Sequence, residues 1–320
     1  MNVWAVRAAT NVGCVQCTIS GRDSTRSQST GVLRTPYKML GAFLAIGGLL
    51  LVGCGKPSSV PPGNTAETTS SATTSTDTAP APAGNWLVRV AAASDLRFAL
   101  AEVITAFNQT EPGVKLEATF GASGNLSTQL VNGAPFDVFL SADRSYAHRL
   151  VEAQLADADS EFAYATGQLV IWVRSESALD LNTTGVQAVA DPLVKKIAIA
   201  NPEHAPYGRA AVAALKSLEL YDQVSDRLVL GENVAQAAQF VESGAADVGL
   251  IAMSLAVAPT MKDKGRHLAV PADAYPALEQ TGVIINTAGD VAAARRFCDF
   301  LASQAGQEIL ARFGFQPVKK

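Results

Sequence analysis

Over most of its length the chain alternates short apolar runs with segments whose apolar residues recur every three or four positions. The apolar runs at 87–92, 114–120 and 136–140 predict buried strands, and the periodic segments that follow them predict helices. The same order returns at 197–200 and 228–230, each followed by a segment with helical spacing. Alternation of this kind is typical of mostly parallel sheets joined by crossover helices. The pattern therefore predicts an α/β fold.

Two segments that resemble each other indicate two lobes of similar construction. Segments 132–138 (NGAPFDV) and 243–248 (SGAADV) each place a glycine and an aspartate before an apolar strand. The apolar runs 167–173 and 283–286 are predicted to be the two crossover strands that form a hinge between the lobes. The segment 291–313 has apolar residues at helical spacing and predicts one helix that packs on the first lobe. Each lobe is thus expected to be a mixed, mostly parallel sheet flanked by helices.

The N-terminal part contains a predicted leader. Arg34 and Lys38 precede the apolar run 39–52, and the leader ends in the letters LVGC at Cys54. A basic start, an apolar middle and small residues before a cleavage site describe a secretory signal. Its end resembles that of a bacterial lipoprotein signal, which implies cleavage before Cys54 and lipid attached to it. An uncleaved membrane helix is the alternative, but the run falls short of the roughly 20 residues that span a bilayer.

A tether is predicted between the leader and the folded part. Residues 56–85 are rich in Pro, Ser, Thr, Ala and Gly and cannot bury enough apolar surface to fold. A flexible chain of about 30 residues spans roughly 30 Å. The expected division of the whole chain is an extension and leader at 1–54, the tether at 55–85, the first part of lobe 1 at 86–167, lobe 2 at 168–280 and a return to lobe 1 at 281–320.

Composition and charge limit the classes of function and the kinds of site that the chain can have. The 320 residues suffice for one large or two modest domains, and 48% are hydrophobic. The formal net charge is −4, and no run of Lys or Arg supplies the basic face that a nucleic-acid partner needs. Cys14 and Cys17 have the spacing of a redox or zinc half-site, but no second pair completes it, so we expect no metal site. With Cys54 lipidated and Cys298 alone, we expect no disulfide.

Four loops carry the candidate chemistry, because ligands of open α/β sheets bind beyond the carboxyl ends of strands. They are 93–95 (ASD), 121–125 (GASGN), 205–208 (APYG) and 231–234 (GENV). Each joins a predicted strand to a predicted helix and consists mainly of small, hydroxyl or amide residues. The first N–H groups of a helix have no partner within the helix and lie at its positive end, so they favour an anion.

Hydroxyl groups add to these amides. Ser94, Ser123 and Tyr207 supply O–H donors, and several such bonds can hold a small dianion without a salt bridge. The alternative is that Ser94 and Asp95 only cap a helix. The Asp95 carboxylate would repel a dianion, so we expect it to cap its helix sideways or to accept from a loop N–H. His204 is expected to pack in its loop or face solvent.

Four motifs together resemble the molybdate-binding protein family of ABC importers. They are 91–96 (AAASDL), 120–124 (FGASG), 132–143 (NGAPFDVFLSAD) and 201–208 (NPEHAPYG), and the similarity runs through 87–315. The resemblance implies a two-lobed type II periplasmic-binding fold with molybdate, or the similar tungstate, in the cleft. It also implies binding rather than catalysis, and no cofactor.

The resemblance also assigns roles to residues. Ser94 and Ser123 match hydroxyl and backbone donors of the first lobe, Tyr207 matches the residue after the loop proline, and Val234 matches a backbone N–H donor. Some members have a tyrosine where this chain has Ala252, and we infer that the Tyr207 hydroxyl replaces that donor.

Asp95 differs from those members that have a neutral residue at this position, and it is included among the candidate anion contacts. The partners implied are a membrane permease and its ATPase, reached by a monomer anchored outside the cytoplasm through Cys54.

The sequence is also compatible with two other functions. A binding protein for another oxyanion or a small organic acid is one, and an organic carboxylate calls for an arginine clamp. Arg97 and Arg209 lie just beyond two of the loops, so either side chain pointing inward would favour it. An enzyme on the same fold is the other, although the sequence contains neither a Gly-x-Ser-x-Gly nor a His-Glu-x-x-His motif.

Overall fold

A computed structural model describes residues 86–318 of the chain. The predicted leader, the lipidation site at Cys54, the tether and the Cys14–Cys17 pair lie outside the described residues. Within the described part, the longest helix has 14 residues and no helix is long and apolar enough to cross a membrane. Cys298 is the one cysteine of this part, and its thiol is buried and not in a disulfide.

Residues 86–318 contain ten strands and ten α-helices. The strands form the framework, and several match the apolar runs of the sequence to within two residues. They are β1 (Trp86–Ala93), β2 (Val114–Gly121), β3 (Val138–Ser141), β4 (Phe162–Gly167), β5 (Leu169–Arg174), β6 (Ile197–Ala200), β7 (Leu228–Gly231), β8 (Val248–Ala252), β9 (Gly265–Ala269) and β10 (Leu278–Ile284). The central strands β3, β6 and β8 are buried at every position, as strands covered on both faces must be.

Ten α-helices cover the strands. They are α1 (Arg97–Thr110), α2 (Ser123–Val131), α3 (Arg144–Glu152), α4 (Leu181–Thr184), α5 (Pro206–Ser217), α6 (Tyr221–Val224), α7 (Val234–Glu242), α8 (Met253–Ala256), α9 (Val291–Ala302) and α10 (Gln304–Arg312). Short 3-10 turns lie at Ser94–Leu96, Ala158–Ser160, Gly185–Ala190 and Ser225–Arg227. In α1 the buried residues Leu100, Val103 and Phe107 follow the predicted spacing of three or four.

The strands form two five-stranded sheets with the same order. The first sheet runs β2-β1-β3-β10-β4 and the second runs β7-β6-β8-β5-β9. In each, the first three strands are parallel and the last two pair antiparallel. The prediction of two lobes, each a mixed sheet flanked by helices, is confirmed. By their place in the strand order, β1 and β2 of the first sheet are equivalent to β6 and β7 of the second. The loops that follow β1 and β2 in one lobe therefore lie opposite those that follow β6 and β7 in the other.

The two similar segments of the sequence have equivalent places in these sheets. Gly133 and Gly244 both adopt a left-handed conformation, with φ of 81° and 79°. Asp137 then accepts a hydrogen bond of 2.6 Å from an N–H group of β1. Asp247 accepts one of 2.9 Å from the N–H group just before β6. Each aspartate therefore ties the start of a central strand to its parallel neighbour, which gives the repeated motif a structural reason.

Two predictions about the chain's path need correction. Residues 283–286 are not a crossover, because β10 lies wholly within the first sheet, between β3 and β4. The connections between lobes are Gln168, between β4 and β5, and residues 270–277, between β9 and β10. The helix predicted at 291–313 is two helices, since Ser303 ends α9 and its hydroxyl accepts from the Gly306 N–H at the start of α10.

Candidate functional site

The four predicted loops meet in one small cavity between the lobes. Its lining includes Ser94, Asp95, Ser123, Tyr207 and Val234, so the structure brings all the predicted site residues together. The space that these residues enclose is small, with room for little more than a water-sized sphere, whereas pockets for drug-sized ligands measure about 300–1,000 Å³. The cavity therefore suits a small inorganic ion better than an organic solute.

Backbone N–H groups at three helix starts face this region. α2 begins at Ser123, α5 at Pro206 and α7 at Val234. Among the described residues, no protein atom accepts from the N–H groups of Ser123, Tyr207 or Val234. The Asn233 side chain caps α7 by accepting from the N–H groups of Ala235 and Gln236, and it leaves that of Val234 available. Buried N–H groups normally have a partner, so these three are suited to bind an anion.

The two serine hydroxyls are held in place by accepting hydrogen bonds. Ser123 Oγ accepts from the Ala142 N–H at 3.0 Å. Ser94 Oγ accepts from the N–H of Ala235, on the opposite lobe, at 3.4 Å. A hydroxyl that accepts from an amide keeps its own proton to donate. Both serines are thus oriented donors, and Ser94 also links the lobes.

Tyr207 has a different environment from the one inferred from the sequence. The residue is 2% exposed, and burial together with the nearby Asp95 raises the pKa of its hydroxyl well above the usual value. The hydroxyl oxygen lies against Gly167, where a Cβ would collide with it. Protein groups therefore surround the hydroxyl, and the amide of Tyr207 becomes the better candidate for contact with an anion.

For Asp95 the sequence left two alternatives, a helix cap or a hydrogen bond from a loop N–H, and the described structure shows no side-chain cap, while the backbone N–H groups of Asp95 and Leu96 lower the pKa of the carboxyl. Its side chain accepts from Gln280 Nε2 at 2.9 Å, and no side-chain cap is formed at either helical start next to it in the described structure. Its backbone carbonyl accepts from Ser254 Oγ on the second lobe at 2.7 Å. Burial raises the pKa of Asp95, while the Tyr207 and Gln280 side chains lower it. The effect of burial is the larger one, and the resulting pKa is about 6.

No lysine or arginine lines the cavity in the described part of the chain. Arg209 points away from it and forms an ion pair with Asp143 at 2.7 Å. Arg97 is exposed and lines a separate groove beside α7. The arginine clamp that would favour an organic carboxylate is therefore not formed. The His204 ring is partly exposed beside Glu203, 3.5 Å away, as expected for a loop residue.

Arg209 instead connects the lobes at the edge of the cleft. From α5 it donates to Asp143 Oδ2 at 2.7 Å and to the Tyr146 hydroxyl at 2.5 Å, both in the first lobe. Its guanidinium also lies 5.0 Å from the centre of the Tyr146 ring. These contacts exist only when the lobes are together, so they stabilise the closed form.

We expect Arg209→Ala to weaken anion binding about two- to fivefold, since a partly exposed ion pair contributes about 0.5–1 kcal/mol. The loss should appear as faster dissociation, measured by stopped-flow displacement of the bound anion. Arg149→Ala is the matched control, because Arg149 packs on the same tyrosine ring from within the first lobe. Equal dissociation rates for the Arg209 variant and the unmodified protein would contradict this role.

Several site residues were not found from the sequence. Gln280 and Ser254 hold Asp95 from positions more than 150 residues away. Gly124 donates its N–H to the His204 carbonyl across the cleft at 2.9 Å. The sequence of β10 has three polar residues in a row, Glu279, Gln280 and Thr281, so it did not single out Gln280. The contacts of Ser254 and Gly124 depend on how the lobes face each other, which local sequence does not encode.

A two-lobed α/β fold with a small donor-lined cavity between its lobes defines the class of extracytoplasmic solute-binding proteins. The chain belongs to the bacterial extracellular solute-binding protein family, whose sequence pattern matches residues 88–316. This membership confirms the expectation of a binding protein rather than an enzyme.

Relatives and solved structures support the same assignment. The molybdate-binding protein ModA of Rhodobacter capsulatus is 36% identical over 231 residues, covering 68% of this chain and 89% of that protein. The solved periplasmic molybdate-binding protein of Azotobacter vinelandii is 31% identical with a TM-score of 0.68, covering 72% of this chain and 100% of that one. The substrate-binding domain of a putative molybdenum ABC transporter from Clostridium difficile is 30% identical, with a TM-score of 0.58 and coverages of 73% and 99%.

Proposed function

We propose that this protein binds molybdate, or tungstate, in the cleft between its lobes and delivers it to an ABC importer. One observation carries the proposal: uncharged hydroxyl and amide donors from four loops line one small cavity between the lobes. The relatives named as molybdate-binding proteins favour this anion over others. Solute-binding proteins of ABC importers work with a membrane permease and its ATPase, which are the partners of this chain.

In this proposal the first lobe contributes the hydroxyl groups of Ser94 and Ser123 and the amide of Ser123. The second lobe contributes the amides of Tyr207 and Val234. Asp95 is placed at the wall of the site but donates no hydrogen bond while it is ionised. Donors on both lobes mean that binding favours closure, because the full set of bonds forms only when the lobes meet.

Calorimetric titration with molybdate, tungstate, sulfate and phosphate tests the proposal. We expect molybdate and tungstate to bind with similar affinity, because the two ions are nearly the same size. Sulfate has shorter bonds from its central atom to oxygen, so in a rigid site it leaves buried donors with stretched contacts, each costing about 1–3 kcal/mol. Its affinity should be at least tenfold lower. Tight binding of sulfate or phosphate without molybdate binding would overturn the assignment.

We further propose that Cys54 carries a lipid, that residues 55–85 form a tether and that the protein acts as a monomer outside the cytoplasm. The support is the apolar run that ends in LVGC and the Pro/Ser/Thr/Ala-rich segment after it. A tether of that composition lets the binding domain move while it stays close to its permease.

Cys54→Ser is expected to move the protein from the membrane fraction to the soluble fraction of its native host. Fractionation followed by mass spectrometry of the N-terminal peptide measures this change. Cys298→Ala is the control, since that thiol is buried in α9 and distant in sequence from the leader. Retention of the Cys54 variant in the membrane fraction would contradict the anchor.

A further inference from the structure

Asp95 is a buried acid at the boundary between the lobes. It is 1% exposed and contributes to the lining of the cavity. One carboxylate oxygen, Oδ2, accepts from Gln280 Nε2 at 2.9 Å. The other, Oδ1, is buried and has no hydrogen-bond partner among the described residues. The hydroxyl of the neighbouring Tyr207 forms no hydrogen bond of ordinary geometry either, but it lies close enough to Asp95 to lower the pKa of the carboxyl.

The groups that face this carboxyl are neutral. Tyr207 comes from α5, Gln280 from β10 and Tyr164 from β4, while Ser254 from α8 donates to the backbone carbonyl of Asp95. The Tyr164 hydroxyl hydrogen-bonds to Gln280 Oε1 at 3.2 Å, and burial raises the pKa of both tyrosines well above their usual range. In the described structure, no cation therefore balances Asp95.

An ionised Asp95 conflicts with the proposed ligand. A dianion in the cavity would add two negative charges beside a buried carboxylate, in surroundings where charges are poorly screened. Nearby like charges favour the neutral form of an acid. Burial, partly offset by neighbouring hydrogen-bond donors, already raises the pKa of Asp95 to about 6, so a further increase carries it through neutral pH. The Asp95 Oδ1 atom, without a partner, is available to take the proton.

We propose that this site binds its anion together with one proton, which Asp95 takes up from solvent. The inference rests on the proposed function, because it requires an anion in the cavity. The new O–H bond forms at Oδ1, beside the Tyr207 hydroxyl oxygen, which can accept from it. The net charge brought into the cleft is then one negative unit rather than two.

The direction of the pH dependence follows from the two states of Asp95. The pKa is about 6 in the anion-free protein and higher in the complex. Below pH 6 the acid is protonated in both states, so affinity is independent of pH. Between the two pKa values each rise of one pH unit weakens binding up to tenfold. Above both, the complex holds an ionised Asp95 and affinity is lowest.

Calorimetry with molybdate at pH 7.5, in buffers of different ionisation enthalpy, counts the protons taken up. We expect nearly one proton per anion, and a dissociation constant that rises about tenfold between pH 6.5 and 7.5. Asp95→Asn should take up no proton, bind molybdate more tightly at pH 7.5 and lose the pH dependence. Asp159→Asn, an exposed aspartate of the first lobe, is the matched control and should retain the uptake.

Two outcomes would overturn the inference, and they differ in meaning. Molybdate binding by the unmodified protein without proton uptake contradicts the inference alone and leaves the proposed function standing. Absence of molybdate binding at every pH contradicts the proposed function and the inference with it. The proton count of the unmodified protein decides between them even if Asp95→Asn fails to fold.

Discussion

Gly124→Ala should weaken molybdate binding by roughly 5- to 150-fold without lowering the stability of the free protein. Gly124 lies in the first turn of α2, and a Cβ there would be 2.7 Å from the His204 carbonyl oxygen of the opposite lobe. Overpacking of this kind costs about 1–3 kcal/mol. The clash with His204 arises only when the lobes close, because His204 belongs to the second lobe, so it subtracts from the free energy of binding. A Cβ would also lie 2.9 Å from the Tyr146 hydroxyl of the first lobe. That contact is at the end of a side chain, so we expect its cost in the free protein to be small and to be offset by the helix preference of alanine.

Two measurements separate this effect from misfolding. Alanine favours a helix over glycine by about 0.5–1 kcal/mol, so the melting temperature of the anion-free variant should be unchanged or higher. Gly289→Ala is the control, since a Cβ at that glycine would meet nothing closer than 4.0 Å. Undiminished affinity in the Gly124 variant would show that the lobes bind the anion without meeting at this contact.

Ser123→Ala should weaken binding about 10- to 150-fold, because a hydrogen bond to a charged group contributes about 1.5–3 kcal/mol. The hydroxyl accepts from the Ala142 N–H at 3.0 Å, and its proton remains for the anion. Alanine removes both interactions and leaves the Ala142 amide buried without a partner. Calorimetric titration measures the change in affinity.

Ser127→Ala is the matched control for this serine. It lies one turn later on α2, is equally buried at 1% exposure, and has no hydrogen-bond partner among the described residues. Its removal should leave affinity unchanged and the protein no less stable, since a buried hydroxyl without a partner is unfavourable. If both variants lost affinity to a similar extent, the cause would be the loss of any serine side chain from α2. That result would contradict a hydrogen bond from Ser123 to the anion.

Local pattern was enough to predict the strands that carry the site. β6 matches its predicted bounds, and the loops after β1, β2, β6 and β7 were found because a strand, a short polar loop and a helix start leave a clear signal. The family resemblance then named Ser94, Ser123, Tyr207 and Val234, which the structure brings to one cavity.

What the sequence could not predict depends on contacts between distant segments. The position of β10 inside the first sheet requires the chain to return from the second lobe, and its apolar residues look the same in either place. The break at Ser303 was hidden because apolar spacing continues through it. The hydrogen bond to Asp95 from Gln280 joins residues 185 positions apart, so the local sequence, which suggested only a cap or a loop N–H as partner, could not predict it.

The central claim is that neutral donors from both lobes enclose the anion without a formal positive charge beside it. A crystal structure of the molybdate complex, with the metal located by its anomalous scattering, tests this directly. We predict one peak in the cavity, with oxygen atoms about 2.7–3.2 Å from donors near Ser94, Ser123, Tyr207 and Val234. A peak elsewhere, or a lysine or arginine nitrogen bonded to the anion, would contradict the account.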